Sequence, residues 1–340
     1  VPGGAETPFE VRLGAKLSYS SGPSADDLSR PFRFRGSRDG SAQQLYMEAN
    51  RLESERSYRE ALEKYLQCLS RDPKHVAALA RVAQLFTRRG EPEKAIHYAG
   101  RALEASMYDP DANYAYGLAA LGLGRLNDAE EALGWAARSP FYGSVALSRM
   151  AEIAIIKKDM ARALEYARKA RSDGPANAAA AEVLAVACRL AGLKKEARGL
   201  LQGRLESDPL DHLARFELYL LSLKPRDLGS FRSLIRGELP HETYLEIGAF
   251  YTRLGLLEEA VTVLENGPEH PTVLYWLAYL LRDRDRAASG AFLDKASAAS
   301  PYFVFPHREE SIPVFNWAAR MKPEDRKPRN YLGLIYWAKG

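Results

Sequence analysis

REALEKYLQ (residues 59–67), EKAIHYAGR (93–101), NDAEEALGW (127–135), ARALEYARK (161–169) and KEARGLLQG (195–203) each carry an alanine in the same place. Those alanines, Ala61, Ala95, Ala129, Ala163 and Ala197, stand 34 residues apart. Gly90, Gly124 and Gly192 precede three of them at the same step, and Pro73, Pro175 and Pro209 keep it further on. A fixed period of this length marks a repeat architecture, in which each unit buries its apolar face only against its neighbours.

Each period holds two amphipathic helical stretches. Numbering each unit from one, position 8 is Ala49, Ala83, Gly117, Ala151 or Ala185, and position 20 is the alanine series. Small residues at both places let two helices approach closely, where larger side chains would push the axes apart. Bulkier residues at position 7 (Val82, Met150, Leu184) and position 24 (Tyr65, Leu133, Leu201) fill the space beside them. A proline near position 32 stops the second helix. Asp72, Asp109 and Asp208 precede prolines and suit turn and cap roles.

Five regular units are expected at 42–75, 76–109, 110–143, 144–177 and 178–211. Beyond them the register slips, since Ala260 follows Ala197 by 63 residues rather than two full periods. The divergent part, 212–340, still offers helix pairs, with Gly248 and Ala278 at position 8. NYLGLIYWAKG (330–340) reads as one more first helix, with Gly333 at position 8 and its second helix still to come. Residues 1–40 differ: FEVRLGAKLSYS (9–20) alternates briefly, and GPSADD and RPFRFRGSRDG supply turn formers, as in an extended tail and linker.

The pattern resembles the tetratricopeptide repeat (TPR), although Leu45, Leu79 and Leu147 stand where that family usually has tryptophan. The resemblance implies an all-α, right-handed α-solenoid of antiparallel helix pairs. A narrower likeness lies in YSSGPSADDLSRPFRF (19–34), YDPDANYAYGLAALGLGRLNDAEEAL (108–133), DPLDHLARFE (208–217), SPYFVFPHREES (300–311) and NYLGLIYWAKG. These are similar to the C-terminal part of large bacterial multidomain proteins, in which a galactose-mutarotase-like β-sandwich precedes a TPR array. On that likeness, residues 1–35 are the tail of a β domain and the chain, opening on Val1 and stopping at Gly340, is a piece of a longer protein. Any carbohydrate chemistry would then sit mostly outside it.

Composition narrows the functional classes. With 46% hydrophobic residues the chain can bury a large interior. Its net charge is +4, from 48 basic and 44 acidic residues without a polybasic tract, so nucleic-acid or membrane-surface binding has little electrostatic support. No apolar run reaches eighteen residues, which excludes a spanning helix by sequence. Cys68 and Cys188 occupy apolar helix positions and read as core residues. Nothing in the sequence sets the compartment.

No phosphate-binding glycine loop, GxSxG or HExxH occurs; HETYLE (241–246) lacks the second histidine. The six histidines have no metal-ligand spacing, so no catalytic residue, metal or cofactor is expected. The TPR resemblance instead implies a concave groove lined by first helices. The expected binding set there is Tyr46, Asn50, Arg81, Gln84, Tyr114, Arg149, Glu152 and Arg189. Of the carboxylate clamp of chaperone-binding TPRs the chain keeps Asn50 and has Arg81 and Arg149 at position 6, but Ala77 and Ala80 stand where partners are needed.

PYFVFPHREES (301–311) breaks the helical pattern. Pro306 forces Phe305 to be extended. Tyr302, Val304 and Pro306 are then expected to face one way and Phe303 and Phe305 the other, as a joint whose aromatics plug the core. His307 and Arg308, with Tyr302 and Trp317, form the expected ligand patch, of a kind that suits sugars. The function expected is a non-catalytic docking scaffold for its own upstream β domain or another protein, with self-association or a glycan contact as further options. One alternative is the helical wall of a carbohydrate-active enzyme; another is a free-standing peptide-binding adaptor.

Overall fold

The computed structural model describes residues 10–14, 16–20 and 40–339. Strands β1 (Glu10–Leu13) and β2 (Lys16–Ser20) form an antiparallel hairpin, with Glu10 opposite Ser20 and Val11 opposite Tyr19. GPSADD and nearly all of RPFRFRGSRDG lie outside the described residues, and with them the reading of that segment as a linker.

From Ala42 onward the regular structure among the described residues is all helical. Eight helix pairs follow in order: α1 (Ala42–Ser54) with α2 (Tyr58–Arg71), α3 (Val76–Arg88) with α4 (Pro92–Ala105), and α5 (Pro110–Gly122) with α6 (Leu126–Ala136). Then come α7 (Gly143–Ile156) with α8 (Met160–Asp173), α9 (Ala178–Leu190) with α10 (Lys194–Ser207), and α11 (His212–Ser222) with α12 (Pro225–Ser233). The last pairs are α13 (Pro240–Arg253) with α14 (Leu257–Glu265) and α15 (Pro271–Leu281) with α16 (Arg286–Ala298). A 3₁₀ turn at Glu309–Ser311 then leads into α17 (Ile312–Met321) and α18 (Lys327–Lys339).

The small marks sit where the helices touch. Ala61, Ala95, Ala129, Ala163 and Ala197 are all fully buried, as are Ala49, Ala83, Ala151 and Ala185 on the facing helices. A Cβ placed on Gly117 would come within 2.7 Å of the Leu133 side chain and 3.4 Å of the Ala129 carbonyl oxygen. Gly248 is equally confined, its missing Cβ lying 3.1 Å from Leu264. Cys68 and Cys188 are buried free thiols, and burial pushes the Cys188 thiol up to about 11.

Turn chemistry repeats with the helices. Gly90, Gly124, Gly192 and Gly255 all hold φ near +71 to +76°, the left-handed region that glycine adopts without steric cost. Arg56 and Lys158 hold the same place in the first and fourth pairs at φ 62° and 60°. At the other end, His75, Asp109, Asn177 and Asp211 cap the first helices, accepting from the backbone N–H three residues on at 2.8–3.3 Å.

The joint at 301–311 departs from expectation. Val304 and Pro306 are buried, but Tyr302, Phe303 and Phe305 are 80%, 86% and 71% exposed. The aromatics therefore do not plug the core. From 303 to 306 the expected alternation is kept, with Val304 and Pro306 inward and Phe303 and Phe305 outward; Tyr302, before the left-handed Phe303 at φ +61°, leaves the side expected of it. Gly333 on α18 is exposed, and a Cβ there would meet nothing within 4 Å among the described residues.

Candidate binding surfaces

The expected groove residues are brought together, and most of them are paired with one another. Arg81 donates to Glu53, with Nε to Oε2 at 3.0 Å, and to Gln84 Oε1 at 2.6 Å. The buried Tyr65 hydroxyl donates to Glu53 at 2.8 Å and reaches Asn50 Oδ1 at 2.5 Å, and Tyr46 packs 4.8 Å from the His75 ring. Gln84 donates at 3.4 Å to the Tyr142 hydroxyl, which donates to Asp111 at 2.5 Å. Tyr142 stacks on Tyr114 at 4.6 Å, and Arg149, in contact with Tyr114, donates to Glu152 at 2.8 and 3.0 Å. Arg253, three pairs further on, closes on Glu152 at 3.5 Å.

A second network follows the first. Arg189 donates to both oxygens of Glu217, at 2.7 and 3.2 Å, and to Glu259 at 3.1 Å. The buried Tyr251 hydroxyl donates to Glu217 at 2.6 Å. Burial lifts the Tyr251 phenol well above its ordinary value, and the Glu217 charge adds to the effect. Glu217 itself is only 1% exposed, so this carboxylate is held by three hydrogen bonds from two residues, Arg189 and Tyr251, instead of by water.

These pairings decide what the groove can offer. Arg81, Arg149 and Arg189 already face carboxylates supplied by the chain, and Asn50 accepts at Oδ1 from Tyr65. An acidic ligand would have to compete with those carboxylates for the three arginines. Sequence reasoning missed Glu53, Glu217 and Tyr142, which are the partners that organise the expected residues.

The loop between α16 and α17 is held firmly. Arg308 donates to Glu242 at 2.7 Å and to its carbonyl at 3.4 Å, and His307 approaches Glu242 at 3.9 Å. Burial would raise the Glu242 carboxyl, but hydrogen bonds from His241 and Arg308 bring it down to about 2. Beside it, His241 stacks on His270 at 3.6 Å, and burial lowers His270 to about 4. His307 and Arg308 border a cleft of about 410 Å³, with Tyr58, Arg59, Arg88, Arg89 and Ala338 on its other walls. Trp317 is elsewhere: it meets Tyr279 edge-on at 5.9 Å in a separate cleft with Arg282 and Arg320. Tyr302, His307, Arg308 and Trp317 thus do not line one pocket. Among the described residues, no cluster of three metal-ligating side chains occurs and no helix is long and apolar enough to cross a membrane.

Helix pairs recurring at a 34-residue step, joined by left-handed turns and sealed by small residues, define a helical-repeat protein of the TPR/ARM kind. The family model for the TT21 fifth ARM repeats domain matches residues 44–155, about a third of the chain. Among curated proteins there is no match. Solved structures similar to it include MamA, at 21% identity over 50% of this chain and 93% of that one, with a TM-score of 0.43. Another is a tetratricopeptide repeat protein from Parabacteroides merdae ATCC 43184, at 12% identity over 86% and 98%, with a TM-score of 0.48. A third is the C-terminal part of a TPR repeat-containing protein from Cytophaga hutchinsonii, at 15% identity over 79% and 98%, with a TM-score of 0.45.

Proposed function

We propose that this chain is a docking scaffold that engages a protein segment through the 301–305 loop, its concave face serving mainly to hold the solenoid's curvature. The observation that carries this is the exposure of Tyr302, Phe303 and Phe305 on a loop pinned from beneath by Val304, Pro306 and the Arg308–Glu242 pair. Three large aromatics held out in water on a braced backbone cost solvation and are left largely uncovered by the described residues. Preorganised aromatic anchors are also what protein interfaces favour.

The partner classes that follow from the sequence likeness are an upstream β domain of the same polypeptide or a separate protein. A sugar ligand is the rival, because exposed aromatics also stack on sugars. A photocrosslinking residue placed at Phe303 separates the two. A protein adduct from 303, absent when the same residue is placed at exposed Phe141, supports the reading. A glycan-array signal lost in Phe303→Ser, with no protein adduct, contradicts it.

A further inference from the structure

The solenoid is thinnest at its sixth pair and is bridged across it on the inner side. Ala260 follows Ala197 by 63 residues where two periods give 68, and the shortfall falls on this pair. α11 and α12 run 11 and 9 residues, against 13 or 14 in α7 to α10, and α12 buries a single residue, Phe231. The turn between them leaves Leu223 exposed at φ +55°. A pair with so little buried surface is where a repeat array bends most easily, because each unit is held mainly by its neighbours.

Three contacts reach past that weak point. Arg253 on α13 meets the buried Glu152 of α7 at 3.5 Å, where Arg149 also donates. The turn after α13 lies against α7, with the Cβ position of Gly255 at 3.9 Å from Ile156. Arg189 on α9 donates to Glu259 on α14 at 3.1 Å, and both side chains are largely shielded from water. These contacts tie α13 and α14 to α7 and α9 over the short pair between them. The two arms so joined, α1–α10 and α13–α18, meet again at the cleft of about 410 Å³. There Arg59, Arg88 and Arg89 of the first arm share the lining with Glu309 and Glu310 of the second.

We propose that the α11–α12 pair is a hinge, and that the Arg253–Glu152 and Arg189–Glu259 pairs form an ionic clasp that holds the two arms closed across it. The clasp is graded. Arg253 is 44% exposed, so salt screens its attraction readily, whereas the sheltered Arg189–Glu259 pair resists screening. Neither Arg253 nor Glu259 stands at a close-approach position, so neutralising them leaves each helix pair its own core. Release lets the arms part and widens the cleft that His307 and Arg308 border, beside the exposed aromatics. That consequence for docking rests on the reading of the 301–305 loop; the clasp itself does not.

Spin labels on Gln67→Cys in α2 and Ala298→Cys in α16, both exposed, report the separation of the arms, while Cys68 and Cys188 are fully buried and stay unlabelled. At low salt the parent chain should give one narrow distance. Arg253→Gln with Glu259→Gln should lengthen it by on the order of 5 Å, half a helix-to-helix spacing, at unchanged helical content. Raising salt from about 0.1 M to about 1 M cuts the screening length from roughly 10 Å to roughly 3 Å. That change should move the parent part of the way and the double variant little. A folded double variant that keeps the parent distance overturns the clasp. So does a salt response of equal size in both chains, since it would arise from charges elsewhere. Should the double variant not fold, Arg253→Gln alone makes the same comparison at a half-exposed side chain. Loss of the Phe303 adduct in a parent chain that still shows the salt-dependent distance would count against the docking loop and leave the clasp standing.

Discussion

Arg56 and Lys158 show how the repeat tolerates a wrong residue. Both occupy a turn whose counterparts are glycines, and each holds a left-handed φ that costs a side-chain-bearing residue about 1–2 kcal/mol. Glycine would relieve that strain but loses some chain entropy. Arg56→Gly and Lys158→Gly are each expected to raise stability by about 0.5–1 kcal/mol, read from urea midpoints at unchanged slope. The glycines at position 8 separate two environments. Gly117→Val drives a side chain into Leu133 and should cost about 1–3 kcal/mol, whereas Gly333→Ala meets open space and should stabilise α18 by up to about 1 kcal/mol. The small-residue marks were legible in the sequence because a close approach tolerates only a few side chains. The turn at 56 and 158 was not, because arginine and lysine carry no sign of a left-handed backbone.

Between elements, the account rests on buried charge. Glu217 ties α11 to Arg189 on α9, to Tyr251 on α13 and, through Arg189, to Glu259 on α14. Glu217→Gln leaves Arg189 with Glu259 alone and should cost about 2–4 kcal/mol in chemical denaturation. The spacing behind such pairs was present in the sequence: Glu53 to Arg81, Arg168 to Glu196 and Arg189 to Glu217 are each 28 residues apart. For Glu53–Arg81 and Arg189–Glu217 that is one period less the six residues between positions 12 and 6 of successive units, and Arg168–Glu196 makes the same step between positions 25 and 19 of the second helices. A repeated opposite-charge step of this kind identifies partners that single-residue reasoning overlooks.

The junction of α13 with the 301–308 loop has its own pH dependence. His270 is lowered in the fold from 6.5 to about 4, so protonation favours the unfolded chain. Stability should therefore fall as pH drops from 6.5 towards 4, by on the order of 2 kcal/mol. His270→Gln should flatten that window in pH-dependent melts. Glu242, lowered from 4.5 to about 2, contributes stability that is present above 4.5 and lost as pH falls towards 2. The exposure of the loop's aromatics was not legible, since hydrophobicity does not reveal which side of a joint is solvent, and Tyr302 leaves its expected side before the left-handed Phe303.

Across the whole molecule, the stack is not a chain of purely nearest-neighbour contacts. Arg253 reaches Glu152, the Cβ position of Gly255 lies 3.9 Å from Ile156, and Arg59 and Arg88 share a cleft with His307 and Arg308. The solenoid curls until residues far apart in sequence meet across its inner side. Such contacts follow from curvature accumulated over several pairs, which no local spacing encodes, and so they were visible only in the fold. The period itself needs no curvature to be seen. The most direct measurement is equilibrium unfolding of five single variants: Ala61→Leu, Ala95→Leu, Ala129→Leu, Ala163→Leu and Ala197→Leu. Close approach of paired helices at every one of these positions requires each variant to lose about 1–3 kcal/mol. Midpoints matching the parent chain would mean that those side chains do not lie between helices at all.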